Sequence, residues 1–242
     1  MKAANPVHAA GGDHPARPDG RTARWQQHRL DRRAEFVDAA LRALAAHGPE
    51  ASMADIAAEA GAAKPKLYRH FADKAALFCA VGERIAGILR QRLATALDPT
   101  LPVERLTREG LDAYLGLVDD YPDAFRFLLT SGFIDRNRTP DPMLAEGRRI
   151  AGALAALLAH LLRILDLDTD TAEPGGAVLA GALGGATIWW LDTDRAIDKQ
   201  ALIDYLAIMV WGAADAMLRG AGVVIDPTRP IGPGNPDSSP DS

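Results

Sequence analysis

"GAAKPKLYRHFADK", residues Gly61 to Lys74, sets three lysines, an arginine, a histidine and a tyrosine around two large apolar side chains, Leu67 and Phe71. Gly61 suits the left-handed turn that ends one helix, and Pro65 sits where a first helical turn tolerates a missing N–H. Stepping the following residues at about 100° each places Leu67 and Phe71 on one face. Arg69 falls opposite them with Lys66 beside it, and Tyr68 and His70 lie on the two flanks. A helix of this kind docks by two apolar anchors and turns its cations outward. A DNA major groove offers such a helix base edges on its floor and phosphate rails on its walls. Lys74 opens the next helix, where unpaired amide N–H groups also favour a phosphate. Solvated charge on an ordinary amphipathic helix is the plainer alternative. The tight turn and the capped helix ahead of it favour the DNA reading.

Upstream, "SMAD" opens a helix in which Ser52 caps and Asp55 bonds back. Met53, Ile56, Ala57 and Ala60 form its inner face. A first helix is expected from Arg24 to His47, with Phe36, Val37, Ala40, Leu41 and Leu44 as its apolar stripe and Gly48–Pro49 as its stop. Lys64–Phe71 makes the third helix. Downstream, Asp73–Leu97 reads as a long helix with Leu77, Val81, Ile85, Ile88 and Leu89 inward, broken at Asp98–Pro99. Further helices are predicted over Val103–Asp120, Pro122–Thr130, Asp141–Leu167, Glu173–Leu191 and Lys199–Arg219. No run alternates as a strand would. The expected fold is all-α: a three-helix helix-turn-helix unit over 21–75 and a helical regulatory domain over 76–222. The arm 1–20 and the tail 223–242 are rich in proline, glycine and charge and are expected to be disordered.

Composition agrees with this division. The chain has 242 residues, 48% of them hydrophobic, enough for a sizeable core. Its formal net charge of −5 is uneven: residues 1–75 hold 12 Lys+Arg against 9 Asp+Glu, leaving 15 against 23 in the rest. A basic front on an acidic chain points to an anionic partner for the front. Cys79 is the only cysteine, which excludes an internal disulfide and a multi-cysteine metal site and suits a reducing cytoplasm. Pro174–Leu191 is 18 residues without charge, the lower limit of a membrane span. Its five glycines, its proline and its acidic flanks favour a buried helix, so no membrane partner is expected.

The run "SMADIAAEAGAAKPKLYRHFADKAAL", with "RRAEFVDAALRALAAHG" before it, resembles the DNA-binding region of the TetR family of bacterial transcriptional repressors, from about Arg24 to Val81. The resemblance implies that the third helix enters the major groove. It implies backbone contacts by Ser52, Tyr68, His70 and Lys74 and groove contacts by Lys64 and Lys66; Arg69 joins them as an outward cation. Ala63 departs from the family, where a serine commonly caps this helix, and one phosphate contact is thereby weakened. The resemblance further implies a homodimer on palindromic operator DNA, released by a small-molecule effector. Ile203, Leu206, Val210, Ala213 and Met217 fall at heptad-like spacing, and Ala177, Gly181 and Gly185 set small residues every four positions. Both patterns suit a four-helix bundle between subunits, and both also suit packing within one subunit.

Tyr114, Leu117, Tyr121, Phe125, Phe127, Leu128, Phe133, Trp189 and Trp190 gather in the middle helices. Core packing is one reading. The other is a pocket for an apolar effector, with Tyr114, Leu117, Tyr121, Phe125, Leu128 and Trp189 as its wall. "YLGLVDDYPDAFRFLLTSGF" and "WWLDTD" are loosely similar to actinobacterial regulators of lipid metabolism that sense long-chain acyl-CoA. An effector between these helices is expected to move the Asp73–Leu97 helix and so the reading heads.

An enzyme and a helical protein-interaction module are the competing readings. No paired-His motif, phosphate loop or nucleophile elbow occurs, and "GALGG" lacks the strand that a dinucleotide fingerprint needs. No catalytic residue, cofactor or metal ligand is assigned; Asp119–Asp120 and Asp192/Asp194 read as solvated carboxylates. His160 reads as a hydrogen-bonded interior or interface residue. Arg17, Arg21 and Arg24 give the arm a route to a minor groove, against a plain disordered tail.

Overall fold

The computed structural model describes residues 20–98, 100–134 and 142–231. Among them there are nine helices and no strand: α1 Gly20–His47, α2 Met53–Glu59, α3 Lys64–Tyr68, α4 Lys74–Ala96, α5 Val103–Asp120, α6 Pro122–Ile134, α7 Pro142–Ile164, α8 Ala172–Asp192 and α9 Lys199–Gly220. The ends are set by the local chemistry the sequence announces. Ser52 accepts from the amides of Ala54 and Asp55 while its own N–H donates to the Asp55 carboxylate, a complete capping box. Asp73 and Asp198 each accept one amide of the first turn, Ala76 N–H and Ala201 N–H, both at 2.7 Å. Gly48 and Gly61 take φ of 72° and 57°, the left-handed turn that a side chain would oppose.

Helices α1 to α3 close on a core of Phe36, Ala40, Leu44, Ile56, Leu67 and Phe71, each no more than 1% exposed. This core is continuous with that of the C-terminal helices. Phe78 of α4 meets Phe127 of α6 with ring centroids 3.9 Å apart, and Leu115, Leu117, Trp190 and Ile203 complete the same cluster. Helices α7 and α8 touch closely because Gly176 faces Ala151 and Ala155 without a side chain between them.

One expectation is corrected and two open readings are narrowed. The tail does not begin at residue 223: Ile225 is 4% exposed, and the carbonyls of Arg229 and Pro227 accept the amides of Val103 and Glu104 at 3.1 and 3.0 Å. Pro102 has no side chain with which to cap α5, so the segment through Ile231 serves that end. The arm 1–19 and residues 232–242 lie outside the described residues. Second, Ile203 and Leu206 of the heptad-like stripe are buried at 1% and 5%, turned inside the subunit where α9 packs on α5. Third, among the described residues α9 is long and apolar enough to cross a membrane. Its Asp204 and Asp215 pair with Arg108 and Arg219, and one of its faces is committed to α5. The remaining apolar surface is a single stripe, as in a helix that packs against another.

Candidate nucleic-acid interface

The third helix is only five residues long and has no side-chain cap at Ala63. A helix that short has no stability of its own in water. Its position therefore comes from Leu67 and Phe71, which are 0% and 1% exposed, and from Arg33 of α1. The Arg33 guanidinium donates to the His70 carbonyl at 2.8 Å and lies 4.1 Å from the Phe71 ring centroid. Thus anchored, α3 presents Lys64, Lys66, Tyr68 and Arg69 to solvent, as the helical wheel requires. Lys64 Nζ stands 6.0 Å from the Tyr68 ring, so the two share one patch.

The other expected contacts are placed less simply. Ser52 is exposed, but its hydroxyl is committed to the capping box, donating to Asp55 Oδ2 at 2.6 Å. That bond holds the Asp55 carboxyl below the usual carboxylate range. His70 is half-buried; burial first, then Arg29, Arg32, Arg33 and Arg69, push its imidazole below the ordinary histidine value. Lys74 begins α4 as expected but is half-buried. Its ammonium sits 5.3 Å from the Phe78 ring and 5.6 Å from the Phe127 ring. It thus joins the start of α4, next to the three-helix unit, to α6. Sequence reasoning missed the Lys74–Phe127 contact and the clamping role of Arg33, because each joins residues of separate elements.

In the regulatory half, Tyr114, Leu117 and Phe125 lie in or against one core. The Tyr114 hydroxyl shares a hydrogen bond of 2.7 Å with Thr187 Oγ1, and its ring meets Phe125 edge-on at 5.9 Å. Burial pushes the Tyr114 phenol up to about 12. Thr187 is the buried polar side chain of α8, a partner that the apolar run did not advertise. Tyr121 and Leu128 are half-buried against the same core. Trp189 is not brought to it: it stands 46% exposed, while Trp190 takes the inner place at 1% and donates its indole N–H to the Ile197 carbonyl. Phe133 lies outside the residues whose side chains are described. Asp119 and Asp120 pair with Arg195 and Arg92, and His160 is exposed on α7, so none of them faces an interior site.

Residues 36–81 match the family of bacterial regulatory proteins named tetR. An uncharacterized HTH-type transcriptional regulator of Mycobacterium tuberculosis is 34% identical over 206 residues, covering 84% of this chain and 86% of its own. The chain belongs to the TetR family. It is a DNA-binding transcriptional regulator with a helix-turn-helix head and a helical C-terminal domain. The transcriptional activator FasR of Mycolicibacterium smegmatis is 26% identical over 187 residues, 76% of this chain and 83% of that protein. The fold alone is shared with FadR of Bacillus subtilis, solved in complex with stearoyl-CoA, at 14% identity and a TM-score of 0.56 over 73% of this chain and 96% of that one.

Proposed function

We propose that this TetR-family regulator is a cytoplasmic homodimer that represses from a palindromic operator and is released by an apolar effector. The observation that carries the DNA half is α3: a helix too short to stand alone, fixed by Leu67 and Phe71, with Lys64, Lys66, Tyr68 and Arg69 all outward. Lys66 and Lys64 read the groove, and Tyr68, Arg69 and His70 hold the backbone. Ser52, with its hydroxyl taken by the capping box, serves by fixing the start of α2. Lys74 contributes charge from its place over the two rings.

An unfilled apolar surface supports the dimer. On α8, Ala177, Gly181 and Gly185 are exposed, and a Cβ at either glycine would meet nothing within 4 Å. Val178 and Trp189 of the same helix, and Tyr205, Ile208, Met209 and Met217 of α9, are 46–73% exposed. Part of the expected heptad serves the partner, Met217 together with Tyr205, Ile208 and Met209, while Ile203 and Leu206 are buried within the subunit. Trp189 belongs to this surface and not to the effector wall. A symmetric bundle of both α8–α9 pairs would set two α3 helices for half-sites about 34–36 Å apart.

For the effector, the layer of Tyr114, Leu117, Tyr121, Phe125 and Leu128 favours an acyl chain or a similarly apolar molecule. The acyl-CoA-bound FadR fold is compatible with that class. Such a ligand acts only through its difference in affinity for the two arrangements of α4 and α6. Likeness to FasR favours a second reading for the output, in which the same dimer activates from an operator that leaves the promoter open.

Selection from genomic fragments tests the proposal. Specific, salt-sensitive retention by a dimer is expected; no selective retention across the fragments would leave an interaction module. Lys66→Ala is expected to change the ranking of retained sequences, since one good bidentate base contact discriminates by about 1–3 kcal/mol. Equal loss on every sequence would remove Lys66 from base reading.

A further inference from the structure

Helix α1 begins at Gly20, whereas the family match begins at residue 36, so roughly four helical turns precede the matched region. The inner face of α1 is apolar where it covers the core, at Phe36, Val37, Ala40 and Leu44. Followed back towards the N-terminus in steps of three and four, the same face becomes Arg33, Leu30, Arg29 and Gln26. The helix there has passed the end of the three-helix core, and the stripe overhangs it. Those residues and His70 line an open groove of about 420 Å³.

No carboxylate lines this groove. Of the acids on that part of α1, Glu35 pairs with Arg32, and Asp31 accepts from the Gln27 amide. Arg32 and Arg69 add to the positive field at His70. Arg33 is held by the His70 carbonyl and the Phe71 ring, and Arg29 makes no ion pair with a described residue. An anion is what this arrangement lacks. His70 lies two residues beyond the end of α3 at Tyr68. A helix in a major groove has phosphate rails along both walls, and this groove lies beside the end of α3.

From this juxtaposition we infer that the overhanging α1 stripe, Gln26–Arg29–Leu30–Arg33, and His70 seat a run of operator backbone phosphates outside the base pairs read by α3. The inference rests on the DNA-binding reading and extends it, giving the head a second, sequence-blind grip through residues that precede the matched region. Arg29 supplies the free charge, Arg33 shapes the wall, and Leu30 lies against the sugar edge.

Full-length protein tests this on two duplexes of equal length, one retained by the unmodified chain and one of random sequence. Arg29→Gln and Leu30→Glu suit the test because both positions are exposed, and circular dichroism checks that α1 persists. Arg29→Gln should lower the slope of log K against log salt by about 0.9 per subunit on both duplexes, leaving the sequence ranking intact. Leu30→Glu should lower it further. Ethylation of the outermost phosphates should interfere with binding by the unmodified chain and not by Arg29→Gln. Unchanged slopes in both variants, with selective retention intact, overturn the inference and leave the DNA reading standing. Unchanged DNA slopes with an Arg29-dependent affinity for polyglutamate give the groove to an acidic protein segment and overturn it too. If the unmodified chain retains no fragment selectively, the DNA reading itself falls, and this inference with it.

Discussion

Phe71→Ala is expected to abolish specific DNA binding and to destabilise the chain by about 3–5 kcal/mol, the usual loss for truncating a buried phenylalanine. Phe71 is 1% exposed and is one of only two apolar anchors that α3 and its following turn possess. The helix has five residues, so no intrinsic propensity holds it once the anchor goes. Arg33 loses at the same step the ring it lies over at 4.1 Å. A domain is typically stable by about 5–15 kcal/mol, so the loss is a large share of the total. Denaturant titration measures the stability change and gel shift measures the binding. Phe71→Leu should recover most of both, because it restores apolar volume without the ring. Lys66→Ala should leave stability untouched, because its side chain is exposed. Wild-type stability and binding in Phe71→Ala would mean that α3 is not held through this ring.

The parts of the fold that sequence announced are those fixed by local chemistry. Ser52 and Asp55 satisfy each other's backbone within one turn, and Gly61 needs a left-handed φ whatever surrounds it. Leu67 and Phe71 are likewise the only large apolar residues near the turn, so their direction was forced. The errors came where one period serves two faces. Helix α9 has two apolar faces, and the expected stripe joined Ile203 and Leu206, which are buried, to Met217, which is 53% exposed. Trp189 and Trp190 are adjacent, so one had to face away from the other, and only the neighbouring helices decide which. Pro, Gly and Asp after residue 222 read as disorder, yet Ile225 is buried and two nearby carbonyls cap α5. Lys74 read as a solvent-facing cation because its ring partner Phe127 lies on a helix 53 residues further on.

Two glycines of α8 should separate folding from assembly. A Cβ at Gly176 would lie 2.5 Å from the Ala155 nitrogen, 2.6 Å from the Ala151 oxygen and 2.8 Å from the Ala155 Cα. All three are backbone atoms and cannot rotate aside, so Gly176→Ala must drive α7 and α8 apart. Overpacking of this kind costs about 1–3 kcal/mol and occasionally more, against a gain in helix propensity of no more than about 1 kcal/mol. A net loss of thermal stability is expected, with dimerisation impaired only as a consequence. Gly185 lies nine residues along the same helix, and a Cβ there meets nothing within 4 Å. Gly185→Arg should therefore leave the subunit folded, with helix propensity slightly improved. In the dimer, the new side chain stands where the partner's helix must approach. Sedimentation should show a monomer, and affinity for the two-half-site operator should fall by about 10²–10⁴-fold, because two linked heads become one. Retained dimer and full operator affinity in Gly185→Arg would move the subunit contact away from the α8–α9 surface, whatever becomes of Gly176→Ala.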